Sequence, residues 1–341
     1  MAWLSDGPGH GGTVRRWAAA KPTTRAMRMD DPPGPCHAPQ MRAPNRGLRR
    51  SPRPPTLGPR IRSIASACLC LLASAASPAP RATAPGPTAW RAYAIRYATI
   101  PGFPVRALIA GADSTRKLDI AMMFWLLQGP GGRHVLVDAG FYRPKFLEAW
   151  KPAGFVRPSE ALARFGVSPD SVTDVIISHV HWDHLDGADL FPAARIWIQR
   201  AEYAYYVGED GRPAHAAIDS LDAAMLSRLM KAGRVSLVEG DRQEIMPGLT
   251  AYTGGKHTFA SQFVSVRLAR GTAVIASDNV YLYENLDRHR PIAQTLDSTS
   301  NLAAQDRMTR IASAPRLIVP GHDPAVFQRF HGAGAGAVNI R

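Results

Sequence analysis

Four residues of metal-ligand type fall within six positions at His179-Val180-His181-Trp182-Asp183-His184. Three imidazoles and a carboxylate this close together make a nitrogen and oxygen site for a divalent cation. The residues before them, Asp174-Val175-Ile176-Ile177-Ser178, form a short apolar run of the kind that becomes a buried strand. The ligands therefore leave the C-terminal end of a strand, where α/β proteins build their sites. A lone histidine is usually a surface or packed residue. Four ligand-type residues in six positions are hard to explain that way.

Three further candidates share one pattern of apolar run, tight loop and ligand. His257 ends Tyr252-Thr253-Gly254-Gly255-Lys256-His257. Asp278 follows Val274-Ile275-Ala276-Ser277, and His322 follows Leu317-Ile318-Val319-Pro320-Gly321. Singly, each is as readily a structural residue as a ligand; together they complete a constellation for two ions. The cysteines do not compete for this role. Cys36, Cys68 and Cys70 all precede residue 71, so the rest of the chain holds neither a thiolate ligand nor a disulfide. An all nitrogen and oxygen donor set suits zinc and also admits manganese, iron or cobalt.

The order His-x-His-x-Asp-His, then His257, Asp278 and His322, resembles the metallo-β-lactamase-fold hydrolase superfamily over about residues 92 to 330. Within it the N-acyl-homoserine lactonase group is most similar. Asp278 stands at the bridging-ligand position, where the best-known β-lactamase class has a cysteine. Tyr281 follows three residues later, at the spacing of a tyrosine that contacts the substrate carbonyl in those lactonases.

The resemblance implies an αββα sandwich, an α/β fold of two mixed sheets with helices outside. It implies that His179, His181 and His257 bind one metal, that Asp183, His184 and His322 bind a second, and that Asp278 bridges them. It further implies two divalent ions, zinc before others, and a shared hydroxide that attacks a carbonyl carbon. Tyr281 would donate to the developing oxyanion, and Asp183 would carry a proton to the leaving alkoxide. A packed aromatic is the alternative for Tyr281, and Tyr283 is its rival for the role. Val137-Asp138-Ala139-Gly140 resembles the family's Asp-x-Gly turn, with Asp138 either orienting a ligand or forming the turn. The chain departs from the pattern around the third histidine. Gly255-Lys256 stands where the family has Pro-Gly, and Thr258-Phe259-Ala260-Ser261-Gln262 lacks the usual Pro-Gly. These departures put the acyl-homoserine substrate, not the metal chemistry, in question.

The first eighty residues differ from the rest. Residues 1–60 are rich in Arg, Pro and Gly and lack apolar periodicity, so they are expected to be disordered or absent from the translated protein. Residues 61–76 read as a signal peptide: Arg60 and Arg62, an apolar run from Ile64, and Ala73-Ser74-Ala75 as the cleavage motif. Export to the periplasm or medium, with cleavage near Ala75, is the expectation. Translation is then expected to start near Met41 or at a later non-Met codon. Residues 77–91 form a linker, 92–330 the hydrolase domain and 331–341 a flexible Gly/Ala tail. Residues 1–81 carry 13 Lys and Arg against 3 Asp and Glu, so they supply +10 of the net +14. The domain itself is mildly basic, which gives no argument for nucleic acid. No stable membrane anchor is expected in the mature chain.

Within the domain, strands are expected at 92–99, 105–110, 120–127, 134–138, 174–178, 196–198, 235–239, 249–253, 263–268, 272–277 and 316–319. Helices are expected at 144–151, 159–165, 215–232 and 301–313, the last capped by Ser300. The segment 199–232, with Tyr203, Tyr205, Tyr206 and Met225, forms either a pocket wall or a solvent-facing helix pair. The expected activity is opening of a lactone or related ester. A thioesterase of the glyoxalase II type or a phosphoesterase is the alternative, followed by a β-lactamase and a non-catalytic metal-binding protein.

Overall fold

The computed structural model describes residues 89–341. The expected extension, the signal region and the linker up to residue 88 lie outside those residues. In chain order the strands are β1 (Arg91–Pro104), β2 (Lys117–Gln128), β3 (His134–Val137), β4 (Val172–Ile176), β5 (Arg195–Gln199), β6 (Val235–Val238), β7 (Gln243–Met246), β8 (Leu249–Thr253), β9 (Gln262–Leu268), β10 (Gly271–Ser277), β11 (Ile318–Pro320), β12 (His331–Gly334) and β13 (Ala337–Ile340). The helices are α1 (Pro144–Trp150), α2 (Pro158–Arg164), α3 (Trp182–Leu185), α4 (Arg200–Tyr206), α5 (Ser220–Lys231), α6 (Tyr283–Asp287), α7 (Ser298–Ile311) and α8 (Val326–Arg329).

The apolar run in β2 dictates the layering. A strand alternates faces residue by residue, so eight consecutive apolar residues need cover on both sides. Ala121, Met123, Trp125 and Leu127 face the core between the two sheets. Ile120, Met122, Phe124 and Leu126 face the helix-side core, with Phe146 of α1, Leu162 of α2 and Leu226 of α5. The larger sheet runs β12-β13-β1-β2-β3-β4-β5-β6 and the smaller β11-β10-β9-β8-β7. Both are mixed: β3 to β6 pair in parallel, as do β10 and β11, and the remaining pairs are antiparallel. Ala304 and Met308 of α7 pack on Phe263, Val274 and Ala276 of the smaller sheet. The result is helix, sheet, sheet, helix, as expected.

Four segments depart from expectation. Residues 331–341 are no flexible tail: β12 and β13 form a hairpin, and β13 pairs with β1 from Ala92↔Ile340 to Ile95↔Ala337. Ala335 (φ 49°) and Gly336 (φ 75°) make its turn, while Val338 and Ile340 are buried between the sheets. Residues 105–110 form no strand; Val105–Ala107 is a 3-10 turn joining β1 to β2. Val105, Leu108 and Ile109 are buried all the same, so burial rather than pairing explains that apolar run. The helix expected from 215 starts at Ser220, because the Asp219 side chain accepts from Leu221 N at 2.9 Å and caps it. Likewise Asp297, not Ser300, caps α7, by accepting from Ser300 N at 3.1 Å.

Candidate metal centre

Five loops meet at one end of the sandwich, each leaving the C-terminal end of β3, β4, β8, β10 or β11. The loop after β3 turns at Asp138, which adopts φ 59°, a left-handed conformation that aspartate tolerates through local hydrogen bonds. The loop after β4 carries His179 and His181 and then winds into the single turn α3, which presents Asp183 and His184. The chain next passes so close to the β3 loop that a Cβ on Gly187 would lie 2.2 Å from Ala139 O. Gly321 has the same role beside Asp278, where a Cβ would come within 2.4 Å of Oδ1.

All seven candidate ligands converge, in two groups that share Asp278: His179, His181, His257 and Asp278, and Asp183, His184, Asp278 and His322. In the first, His181 Nδ1 lies 3.1 Å from His179 Nε2 and 2.9 Å from His257 Nε2. Asp278 Oδ2 is 3.7 Å and 3.5 Å from the same two Nε2 atoms. In the second, His184 Nε2 lies 3.4 Å from Asp183 Oδ2 and 3.3 Å from Asp278 Oδ2. His322 Nε2 lies 3.5 Å from Asp183 Oδ2 and 3.0 Å from Asp278 Oδ1. Donors about 2.0–2.1 Å from one tetrahedral ion are about 3.3 Å apart, so these spacings fit such an ion in each group. Two donor atoms support the fit. His184 Nε2 and Asp278 Oδ1 are buried without a hydrogen-bond partner.

The outward nitrogens are held. His257 Nδ1 meets Gln294 O at 2.7 Å and His322 Nδ1 meets Ala121 O at 3.1 Å. A carbonyl can only accept, so each Nδ1 carries a proton and each Nε2 faces inward. His179 Nδ1 lies 2.9 Å from Ser178 Oγ. Asp138, fully buried, contacts His184 Nδ1 at 2.8 Å and accepts from Ser178 N, Ser178 Oγ and Ser277 Oγ at 2.8, 2.9 and 2.7 Å. Asp138 thus both forms the turn and orients a ligand-type histidine. Ser178 and Ser277 carry no sequence signal; their roles depend on β3, β4 and β10 ending side by side.

Burial and the crowding of neighbouring rings hold His179 far below the usual imidazole value and bring His181 to about 3. Burial also lowers His257. For His184 and His322 burial acts the same way, but the nearby carboxylates, Asp278 foremost, outweigh it and raise both. Burial opposes the charge on Asp183 and Asp278, yet His184 and His322 keep both ionised.

Tyr281 lies beside the ligands, with its hydroxyl 3.5 Å from His257 Nδ1 and its ring 5.8 Å from His322. Burial, then the charges of Asp278 and Asp183, raise its pKa well above the phenol value, so it keeps its proton. Tyr283 belongs to the core between the sheets and packs under the Arg329 guanidinium at 3.7 Å. Within 199–232, Tyr206 and Met225 are core residues, while Tyr205 stacks on Phe259 with centroids 4.0 Å apart. Tyr206 OH also accepts from Phe259 N at 3.2 Å, so this segment packs against the His257 loop. Trp182, between His181 and Asp183, stacks on Phe146 and Trp150.

Residues 123–322 match the family model of the metallo-beta-lactamase superfamily. An N-acyl homoserine lactonase of Bacillus sp. is 29% identical over 221 residues, 60% of this chain and 82% of that protein. The fold also matches a solved N-acyl homoserine lactone hydrolase with N-hexanoyl-L-homoserine at its catalytic metal center. That match has a TM-score of 0.59 at 21% identity and covers 72% of this chain and 98% of that one. A dizinc quorum-quenching lactonase matches with a TM-score of 0.54 at 15% identity, over 70% and 89% of the two chains.

Proposed function

The chain belongs to the metallo-beta-lactamase superfamily, and from that premise we propose that it is a dinuclear zinc hydrolase that opens lactones of the N-acyl homoserine type. The observation that carries this reading is the pair of ligand groups sharing Asp278, with the Tyr281 hydroxyl beside them. The similarity to the Bacillus lactonase supports the same reaction class. His179, His181 and His257 would hold one ion, Asp183, His184 and His322 the other, and Asp278 both. Five imidazoles and two carboxylates favour zinc. Such ions, when bound, supply an activated water and an electrophile for the carbonyl oxygen.

The protein's own groups supply the rest. Tyr281, kept protonated, donates to the carbonyl oxygen as negative charge grows there, a contact worth about 2.7–4 kcal/mol. Asp183, kept ionised, takes the proton of the attacking water and passes it to the ring oxygen as the acyl C–O bond breaks. A lactone suits this sequence because its leaving alkoxide stays tethered and needs one proton. The product hydroxy acid then ionises at neutral pH, which makes proton release a direct assay.

The test is proton release by the zinc-loaded chain on short and long acyl-homoserine lactones, a γ-lactone, a thioester and a phosphodiester. Lactone turnover that depends on metal and on Asp183 is the expected result. A fully loaded protein that ignores lactones and turns over the thioester or phosphodiester overturns it. Export with cleavage near Ala75 stays part of this reading on the strength of the apolar run at 64–76. N-terminal sequencing of the native protein tests it, and a mature N-terminus before residue 60 refutes it.

A further inference from the structure

One carboxylate beside the centre has no part in that chemistry. Glu202, on α4, is fully buried. Its Oε1 accepts from Val180 N at 3.2 Å and from Thr258 Oγ1 at 2.6 Å, and its Oε2 accepts from Ala260 N at 2.7 Å. Val180 lies between His179 and His181, and Thr258 follows His257. A single side chain therefore ties together the two loops that supply the three-histidine group. Among the described residues, none of its hydrogen bonds reaches Asp183, His184 or His322.

The chemistry of the three donors explains why the residue is an acid. Two backbone N–H groups and a hydroxyl converge on it, and an ionised carboxylate offers acceptors only. A glutamine would turn its NH2 toward a backbone N–H in either flip, toward Ala260 or toward Val180. Burial makes the charge costly, lifting the pKa of Glu202 to about 7. A residue kept for fold stability alone has no need of that charge at this place.

We propose that Glu202 is a positioning residue for the three-histidine half of the centre, holding the His179–His181 loop at a set distance from the His257 loop and thereby governing the ion affinity of that half alone. The inference rests on the metal reading above. It deepens that reading by assigning separate control to the two halves.

Titration of the metal-stripped full chain with cobalt(II), followed by its visible absorption, tests it without any substrate. His181→Ala, which removes a triad ligand, identifies the binding step of the other half. In Glu202→Gln the triad step is expected to weaken by about tenfold to a hundredfold. The other step should stay within twofold, even though a buried N–H left facing the amide NH2 lowers the melting temperature of the metal-free protein. Thr258→Val, which removes one of the three donors, should weaken the same step by less. Unchanged affinities in Glu202→Gln, or equal weakening of both steps, overturns the proposal. Should Glu202→Gln fail to fold, an unaltered triad step in Thr258→Val overturns it. A wild-type chain that binds no cobalt refutes the metal reading itself.

Discussion

His181 and His184 stand three residues apart on one loop, yet burial drives the first to about pH 3 while carboxylates drive the second well above the ordinary imidazole value. The difference belongs to the two halves of the centre. In the three-histidine half, rings face rings, and the nearest carboxylate oxygen is 3.5 Å from His257. Burial holds those imidazoles in their neutral form. In the other half, His184 lies between Asp138, Asp183 and Asp278 and draws positive charge. One half is arranged as a neutral ligand set and the other as an anionic pocket. Each is braced by its own buried carboxylate, Glu202 for the first and Asp138 for the second.

Substitutions separate the halves in order of severity. Asp278→Ala removes the group common to both. It is expected to leave less than one ion per chain and to cut lactone turnover more than about a hundredfold; elemental analysis showing two ions per chain would refute the shared role. Tyr281→Phe should leave both halves loaded and lower kcat by about a hundredfold to a thousandfold. An equal loss from Tyr283→Phe would move the donor role to that residue. Asp138→Asn keeps the size of the brace while removing its charge. It should weaken the Asp183, His184 and His322 half by about tenfold to a hundredfold, with a smaller effect on the triad through Ser178; a cobalt titration reads both.

The smallest effect lies outside the centre. Asp222 on α5 is buried beside Asp186, with Arg143 donating to it at 2.8 Å. Burial, then repulsion from Asp186, pushes its pKa up to about 8 against a reference of 3.8. The folded state therefore holds this proton more tightly than the unfolded state. Stability is full at acid pH and falls as pH rises toward and through about 8. Asp222→Asn should remove that fall. Its melting temperature relative to wild type should climb between pH 6 and 9, by at least about 2–4 °C for each kcal/mol recovered. A gap that stays constant with pH would show that Asp222 is not the titrating group.

The candidate ligands were legible because His179, His257, Asp278 and His322 each follow an apolar run and a tight loop. That local pattern survives folding in β4, β10 and β11, where the strands deliver His179, Asp278 and His322 as their spacing implies. The braces were not legible. Glu202 sits in Gln199-Arg200-Ala201-Glu202-Tyr203, which reads as a surface helix start, and its partners lie 22 to 58 residues away. The C-terminal hairpin was hidden for a related reason. Gly332-Ala333-Gly334-Ala335-Gly336 has the composition of a loose tail, and only the free edge of β1, some 240 residues earlier, makes Ala337–Ile340 a strand. Tyr281 and Tyr283 look alike in sequence. Packing alone turns one toward His257 and the other under Arg329.

Local sequence carries the candidate donor set and its order along the chain, because ligand spacing and short-range apolar runs are local properties; the layered sandwich was implied by the family resemblance that those motifs carry. Long-range packing sets which imidazoles burial pushes down, which the carboxylates push up and which buried carboxylate braces each half. Burial and Coulomb interactions depend on distances between residues far apart in the chain, and only the folded protein sets those distances.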